Sequence, residues 1–175
     1  AALRDQIQAL RKIREKQFVD SGKALDADVV ACVLLNDGSG KVCVNLAMIR
    51  GGRHLGDKSF FPQNADDCTP AVVVQAFLAQ HYLNRSVPPL IILSEKIERE
   101  AIQDLLTEQC GHKITINLNP TGEKRVWLDM ATENAHLALK LFDRAVLLDD
   151  LDDLVLRRVV RAVGIDRELI QVHRD

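Results

Sequence analysis

The chain has 175 residues, a formal net charge of −2 and an apolar fraction of 47%, which suit one ordinary domain with appendages at its ends. Near-neutral charge excludes a global basic field, so any nucleic-acid contact must come from a local patch. No apolar run approaches membrane-spanning length and no signal-peptide pattern opens the chain, so no membrane partner is expected.

The first residue is not Met and the chain starts inside a helical pattern, which reads as a piece of a longer protein. The four cysteines, Cys32, Cys43, Cys68 and Cys110, are widely spaced without a CxxC, as expected of reduced thiols in a cytoplasmic protein. Two of them fall in strand patterns, where Cys acts as a small apolar residue.

Ala1–Val19 is an amphipathic helix, with Leu3, Ile7, Leu10 and Ile13 recurring at three- and four-residue steps and Arg4, Asp5, Arg11, Lys12 and Arg14 on the other faces. Such a stripe should have a partner: the helix either packs on the domain or is half of a helical hairpin. Asp20-Ser21-Gly22 ends it. Asp28–Asn36 follows as a strand, turned by Asp37-Gly38-Ser39-Gly40. Val42, Val44, Leu46 and Met48 then alternate with Cys43, Asn45, Ala47 and Ile49, and both faces are apolar enough to be covered. Gly51-Gly52 predicts a type I′ hairpin turn, because both central residues need positive φ. Arg53–Phe61 returns until Pro62, which has no N–H for a ladder.

After a polar connection, Thr69-Pro70 predicts a helix start, with Thr69 as the cap and Ala71–Leu83 as the helix. Leu90–Leu93, apolar throughout, suits a central strand. Ser94 is expected to cap a helix over Glu95–Cys110, ended by Gly111. Ile114–Leu118 alternates as a fifth strand, Asn119–Gly122 turns, and Glu123–Phe142 forms a long helix. In Leu147–Asp175, Asp149, Asp150, Asp152 and Asp153 precede Arg157, Arg158 and Arg161, which complements the dipole of a further helix.

The expected fold class is therefore α/β (α+β): a mixed five-stranded sheet in the order β-β-β-α-β-α-β-α, which is the order of the ribonuclease-H-like fold and which ferredoxin-like and actin-like half-domains share in part. The expected division is a helix over 1–20, the α/β domain over 24–142, and a helical tail or linker over 143–175.

Several segments resemble the middle of the UvrC family of excinuclease components. They are Glu15-Lys16-Gln17-Phe18-Val19, Ile49–Pro62 (IRGGRHLGDKSFFP), Phe77–Leu83 (FLAQHYL) and Gly122–Ala135 (GEKRVWLDMATENA), in the same order and spacing. Ala2–Leu10, ALRDQIQAL, resembles the second half of the UVR motif, the helical hairpin through which that family meets UvrB. The resemblance covers roughly Ala1–Phe142. It implies a role in bacterial nucleotide excision repair and a UvrB-like partner. The family's GIY-YIG nuclease, cysteine-rich segment, C-terminal ribonuclease-H-like nuclease and helix-hairpin-helix unit are not represented, so no catalytic residue is carried over.

A ribonuclease-H-like nuclease needs several carboxylates converging on divalent metals. Asp28 at the opening of the first strand and Glu95 just after the fourth are two candidates, and the first crossover helix offers Gln75 and Gln80 but no acid. His54, His81, His112, His136 and His173 show no ligand spacing. No catalytic residue, metal ligand or cofactor is therefore assigned. The alternatives are a divergent metal-dependent nuclease and a protein-interaction module without DNA contact. What remains is binding: Arg50, Arg53, His54 and Lys58 around the glycine turn and Lys124 and Arg125 at a helix start form a candidate DNA-binding patch. Leu3, Ile7 and Leu10 are the candidate partner-facing residues.

Overall fold

The structure, a computed structural model, describes residues 25–63, 65 and 67–147. The expected opening helix with Leu3, Ile7 and Leu10, and the tail beyond 147, lie outside the described residues.

Eight elements follow in order: β1 (Ala27–Leu34), β2 (Val42–Arg50), β3 (Arg53–Phe60), α1 (Pro70–His81), β4 (Leu90–Leu93), α2 (Arg99–Cys110), β5 (Thr115–Asn117) and α3 (Glu123–Leu147). The sheet is mixed and five-stranded, in the spatial order β3-β2-β1-β4-β5. β1, β2 and β3 pair antiparallel, whereas β4 and β5 join in parallel beyond β1. This is the ribonuclease-H-like arrangement expected from the order of elements.

Both faces of the sheet are covered, which explains why β1 and β2 carry apolar residues at successive positions. Val30 and Cys32 of β1, with Val44, Leu46, Ile91 and Leu93, meet Val73, Val74 and Leu78 of α1 and Leu106 of α2. Ala27, Val29 and Ala31, with Ala47, Ile49, Leu90 and Ile92, meet Trp127, Leu128 and Ala131 of α3. The alanines on that face leave room for the indole of Trp127, which is fully buried. Farther along α3, Ala135, Ala138 and Leu139 cover Val33, Cys43 and Phe61, and the ring of Phe142 stacks on Phe61 with centroids 4.2 Å apart. α3 therefore runs from the Ala27 end of the sheet towards the Val33 end.

Local signals set most boundaries. Thr69 Oγ1 accepts the Val72 N–H at 3.4 Å and Pro70 takes the first helical position of α1. Gly111 closes α2 in the left-handed region at φ 69°. Ser94 behaves differently from the cap expected of it. The pairing of β4 with β1 continues past Leu93, since the Ser94 N–H donates to the Val30 carbonyl at 3.0 Å. The Ser94 hydroxyl then accepts the Cys32 N–H at 3.0 Å, and α2 starts four residues later than Glu95, at Arg99. α3 likewise continues to Leu147, beyond the expected Phe142.

The two sheet edges differ. At β5, side chains of α2 occupy the outer backbone groups: Gln103 Oε1 accepts the Ile116 N–H at 2.9 Å and Arg99 donates to the Ile116 carbonyl at 3.2 Å. β3 forms the opposite edge, and its residues Arg53, Leu55 and Lys58 are exposed. No helix among the described residues is long and apolar enough to cross a membrane.

Candidate nucleic-acid interface

The hairpin end of the sheet is built on Gly51 and Gly52, whose φ values of 59° and 78° are those a type I′ turn requires. The turn is tied to the backbone entering β1: the Gly51 N–H donates to Asp26 Oδ1 at 2.7 Å and the Gly52 N–H to the Leu25 carbonyl at 2.9 Å. Register then decides which face each cation takes. Arg50 pairs with Arg53 and Leu46 with Lys58, which puts Arg50, Arg53 and Lys58 on the α1 side of the sheet. Ile49 pairs with His54, which puts His54 on the α3 side. Between these pairs the register shifts at Met48/Ile49, and Leu55 is the extra residue of a β-bulge.

Arg50 is committed within the domain. Its Nη1 donates to Asp28 Oδ1 at 2.8 Å and to the carbonyls of Ala27 and Ile49 at 3.0 and 2.7 Å. The other oxygen of Asp28 accepts the Tyr82 hydroxyl at 2.6 Å. Asp28 is thus the second residue of β1, one position inside the strand it was expected to open, buried and bonded through both oxygens. Burial, followed by the negative charge and hydrogen bonding of Asp28, pushes the Tyr82 phenol well above its ordinary value, so the hydroxyl stays a donor.

His54 belongs to a second polar cluster, between the hairpin and α3. Its Nε2 lies 3.2 Å from Asp57 Oδ1, and the Asn134 amide of α3 donates to Asp57 Oδ2 at 2.8 Å. Asn45 Nδ2 donates to Asp57 Oδ1 at 3.3 Å, and the Ser59 hydroxyl donates to Asn45 Oδ1 at 3.2 Å. His54, with a side-chain exposure of 13%, ties strand to helix through Asp57. The signal for this cluster was present in β2: a polar Asn45 inside a strand covered on both faces has to find partners.

Lys124 is half-exposed and Arg125 exposed at the start of α3. Arg125 Nε reaches Asp129 Oδ1 at 2.9 Å, one turn on, in a pair that is open to solvent. Because Trp127 packs on Ala27 and Ile49, this helix start lies at the hairpin end of the sheet, on the face opposite Arg50, Arg53 and Lys58. Five of the six expected residues therefore share the hairpin end, Lys58 lies opposite Leu46 in the middle of β2, and the six are divided between the two faces of the sheet. A shallow groove farther along α3 is lined by Val126, Asp129, Met130 and Glu133, and its two acids are unsuited to phosphate.

The described residues do not fit the divalent ions that nucleases of this fold use. Asp28 stands opposite Ile91 inside the sheet, whereas Glu95 comes two residues after Leu93, the last residue of β4. Glu95 lies instead near Cys32, whose thiol is pushed up to about 12 by burial and then by the Glu95 charge. Two carboxylates at different levels of the sheet, one of them saturated by Arg50 and Tyr82, cannot share an ion. Among the described residues no three His, Cys, Asp or Glu side chains come together as a metal-holding group.

Comparison with known proteins places this geometry. Residues 26–142 match the family model described as the UvrC ribonuclease H-like domain. The chain is 66% identical over 140 residues to the UvrABC system protein C of Nitrosomonas europaea, covering 80% of this chain and 23% of that protein. It is 64% identical over 137 residues to the protein of that name from Nitrosomonas eutropha, covering 78% and 22%. With the one from Methylobacillus flagellatus it shares 52% over 139 residues, covering 79% and 23%. The chain thus spans less than a quarter of the length of these curated relatives.

Proposed function

Because the chain belongs to the UvrC family, whose ribonuclease H-like domain it carries, we propose that it is a non-catalytic module of a nucleotide excision repair excinuclease, engaging DNA and a UvrB-like partner. The observation that carries the non-catalytic reading is the Arg50 guanidinium on Asp28. A cation built into the protein neutralises the first-strand carboxylate, and the Tyr82 hydroxyl takes its second oxygen. That arrangement stabilises a fold and, among the described residues, leaves Asp28 and Glu95 without a shared metal ion.

The DNA reading is supported by the exposed Arg53 and Lys58 on one face of the hairpin end and by Lys124 and Arg125 on the other. Phosphate contacts of this kind position a backbone without reading sequence. Arg50 and His54 act here by holding the hairpin, through Asp28 and Asp57, while Arg53, Lys58, Lys124 and Arg125 contribute the charge. Leu3, Ile7 and Leu10 are the proposed contacts with the UvrB-like partner.

The test is a salt titration of DNA binding by the chain and by an Arg53→Glu/Lys58→Glu variant. Each phosphate that is no longer neutralised should lower the slope of log K against log salt by about one. An unchanged slope in a folded variant removes this face from the interface. A pull-down with UvrB, with and without Leu3→Asp and Ile7→Asp, tests the partner separately: capture that survives both substitutions refutes the stripe.

A further inference from the structure

Leu55 is 66% exposed. The other exposed large apolar side chains among the described residues, Val72, Leu83, Leu105 and Val126, lie on helices or directly after one, and Leu55 is the one carried by the sheet. Backbone geometry keeps it out. The register shift between Met48 and Ile49 leaves Leu55 without a partner on β2, and Gly56 beside it takes φ 154°. A bulge re-aims a side chain in this way, and an edge strand is where one fits without breaking a ladder on both sides. Exposed cations stand close by in sequence, Arg53 two residues before and Lys58 three after. The opposite edge, by contrast, is covered by Arg99 and Gln103 of α2.

One leucine flanked by cations is too small an apolar patch to seat a protein partner, since stable protein interfaces bury on the order of 800 Å² a side. It matches a general way of gripping DNA, in which basic residues hold the phosphates while an apolar side chain wedges between bases and partly unstacks them. Building on the DNA reading above, we infer that Leu55 is such a wedge, and that the DNA it takes is a duplex whose stacking is already broken, because unstacking then costs least. Arg53 and Lys58 bring the backbone to the edge strand, and Leu55 enters the open step.

The experiment uses the 175-residue chain and two fluorescein-labelled duplexes of one sequence, intact or carrying a short unpaired bubble, read by anisotropy at low salt. The chain should bind the bubble about tenfold more tightly, the scale expected for burying one leucine. Leu55→Ala should bring that ratio close to one, and Leu55→Phe should keep it. Lys58→Glu should weaken binding to both duplexes and preserve the ratio. A 2-aminopurine in the base pair bordering the bubble should brighten with the chain and stay dim with Leu55→Ala. If the chain binds both duplexes equally, or Leu55→Ala retains the preference, the wedge is refuted while the DNA reading stands. If neither duplex binds, both fall.

Discussion

Arg50 at the end of β2 places Nη1 2.8 Å from Oδ1 of Asp28 in β1, so the carboxylate one residue inside the central strand is neutralised from the neighbouring strand. Asp28 is only 3% exposed, and a buried carboxylate without such a partner destabilises the fold.

Replacing Arg50 by Met should therefore cost about 2 kcal/mol, the scale of a charge-assisted hydrogen bond, moderated because the guanidinium keeps some contact with water. The Asp28→Asn/Arg50→Met double variant should lose less than the sum of the single losses, since each single change strands the other group. Urea unfolding of the four proteins measures both statements, and strict additivity would show that the pair is not coupled.

Tyr82→Phe should cost about 1–2 kcal/mol at neutral pH, because Asp28 Oδ2 is left buried without its donor. The phenol is raised in the folded state, so the unfolded chain loses its proton first as the pH climbs. The stabilisation is complete below the ordinary value of 10.0 and declines above it. Wild-type stability should fall between neutral pH and strongly alkaline pH more steeply than that of Tyr82→Phe. Parallel curves would contradict a raised phenol.

Asn134→Ala should loosen the open edge of the sheet. Asn134 is 5% exposed and its amide is the α3 donor to Asp57, in the cluster that holds β3 through Asn45 and Ser59. The expected loss is about 2 kcal/mol, with amide exchange accelerating in β3 before β1 or β4. Uniform acceleration across the sheet would place the role of Asn134 elsewhere.

The cysteines should divide into two pairs towards a thiol reagent. Burial pushes the Cys32 and Cys43 thiols up to about 12, which keeps them in the unreactive form. Cys68 and Cys110 are half-buried and should be modified first at mildly alkaline pH. In denaturant all four should react alike; early labelling of Cys32 or Cys43 in the native protein would show that the sheet opens readily.

Much of this architecture is written in short stretches of chain. Gly51-Gly52 specifies its turn because adjacent residues must both take positive φ, Thr69-Pro70 starts α1 because cap and first helical position are neighbours, and Gly111 ends α2 for the same local reason. The order of elements followed from such signals, and the mixed five-stranded sheet from the order of elements. Tertiary structure alone decided what the polar residues do. Tyr82 meets Asp28 across 54 positions and Asn134 meets Asp57 across 77, distances over which no periodicity carries information. Ser94 leaves its expected cap because parallel pairing with Val30 continues past β4. The basic residues of the hairpin face opposite ways because each step along a strand reverses the side chain, and only the paired register shows where the bulge at Leu55 falls.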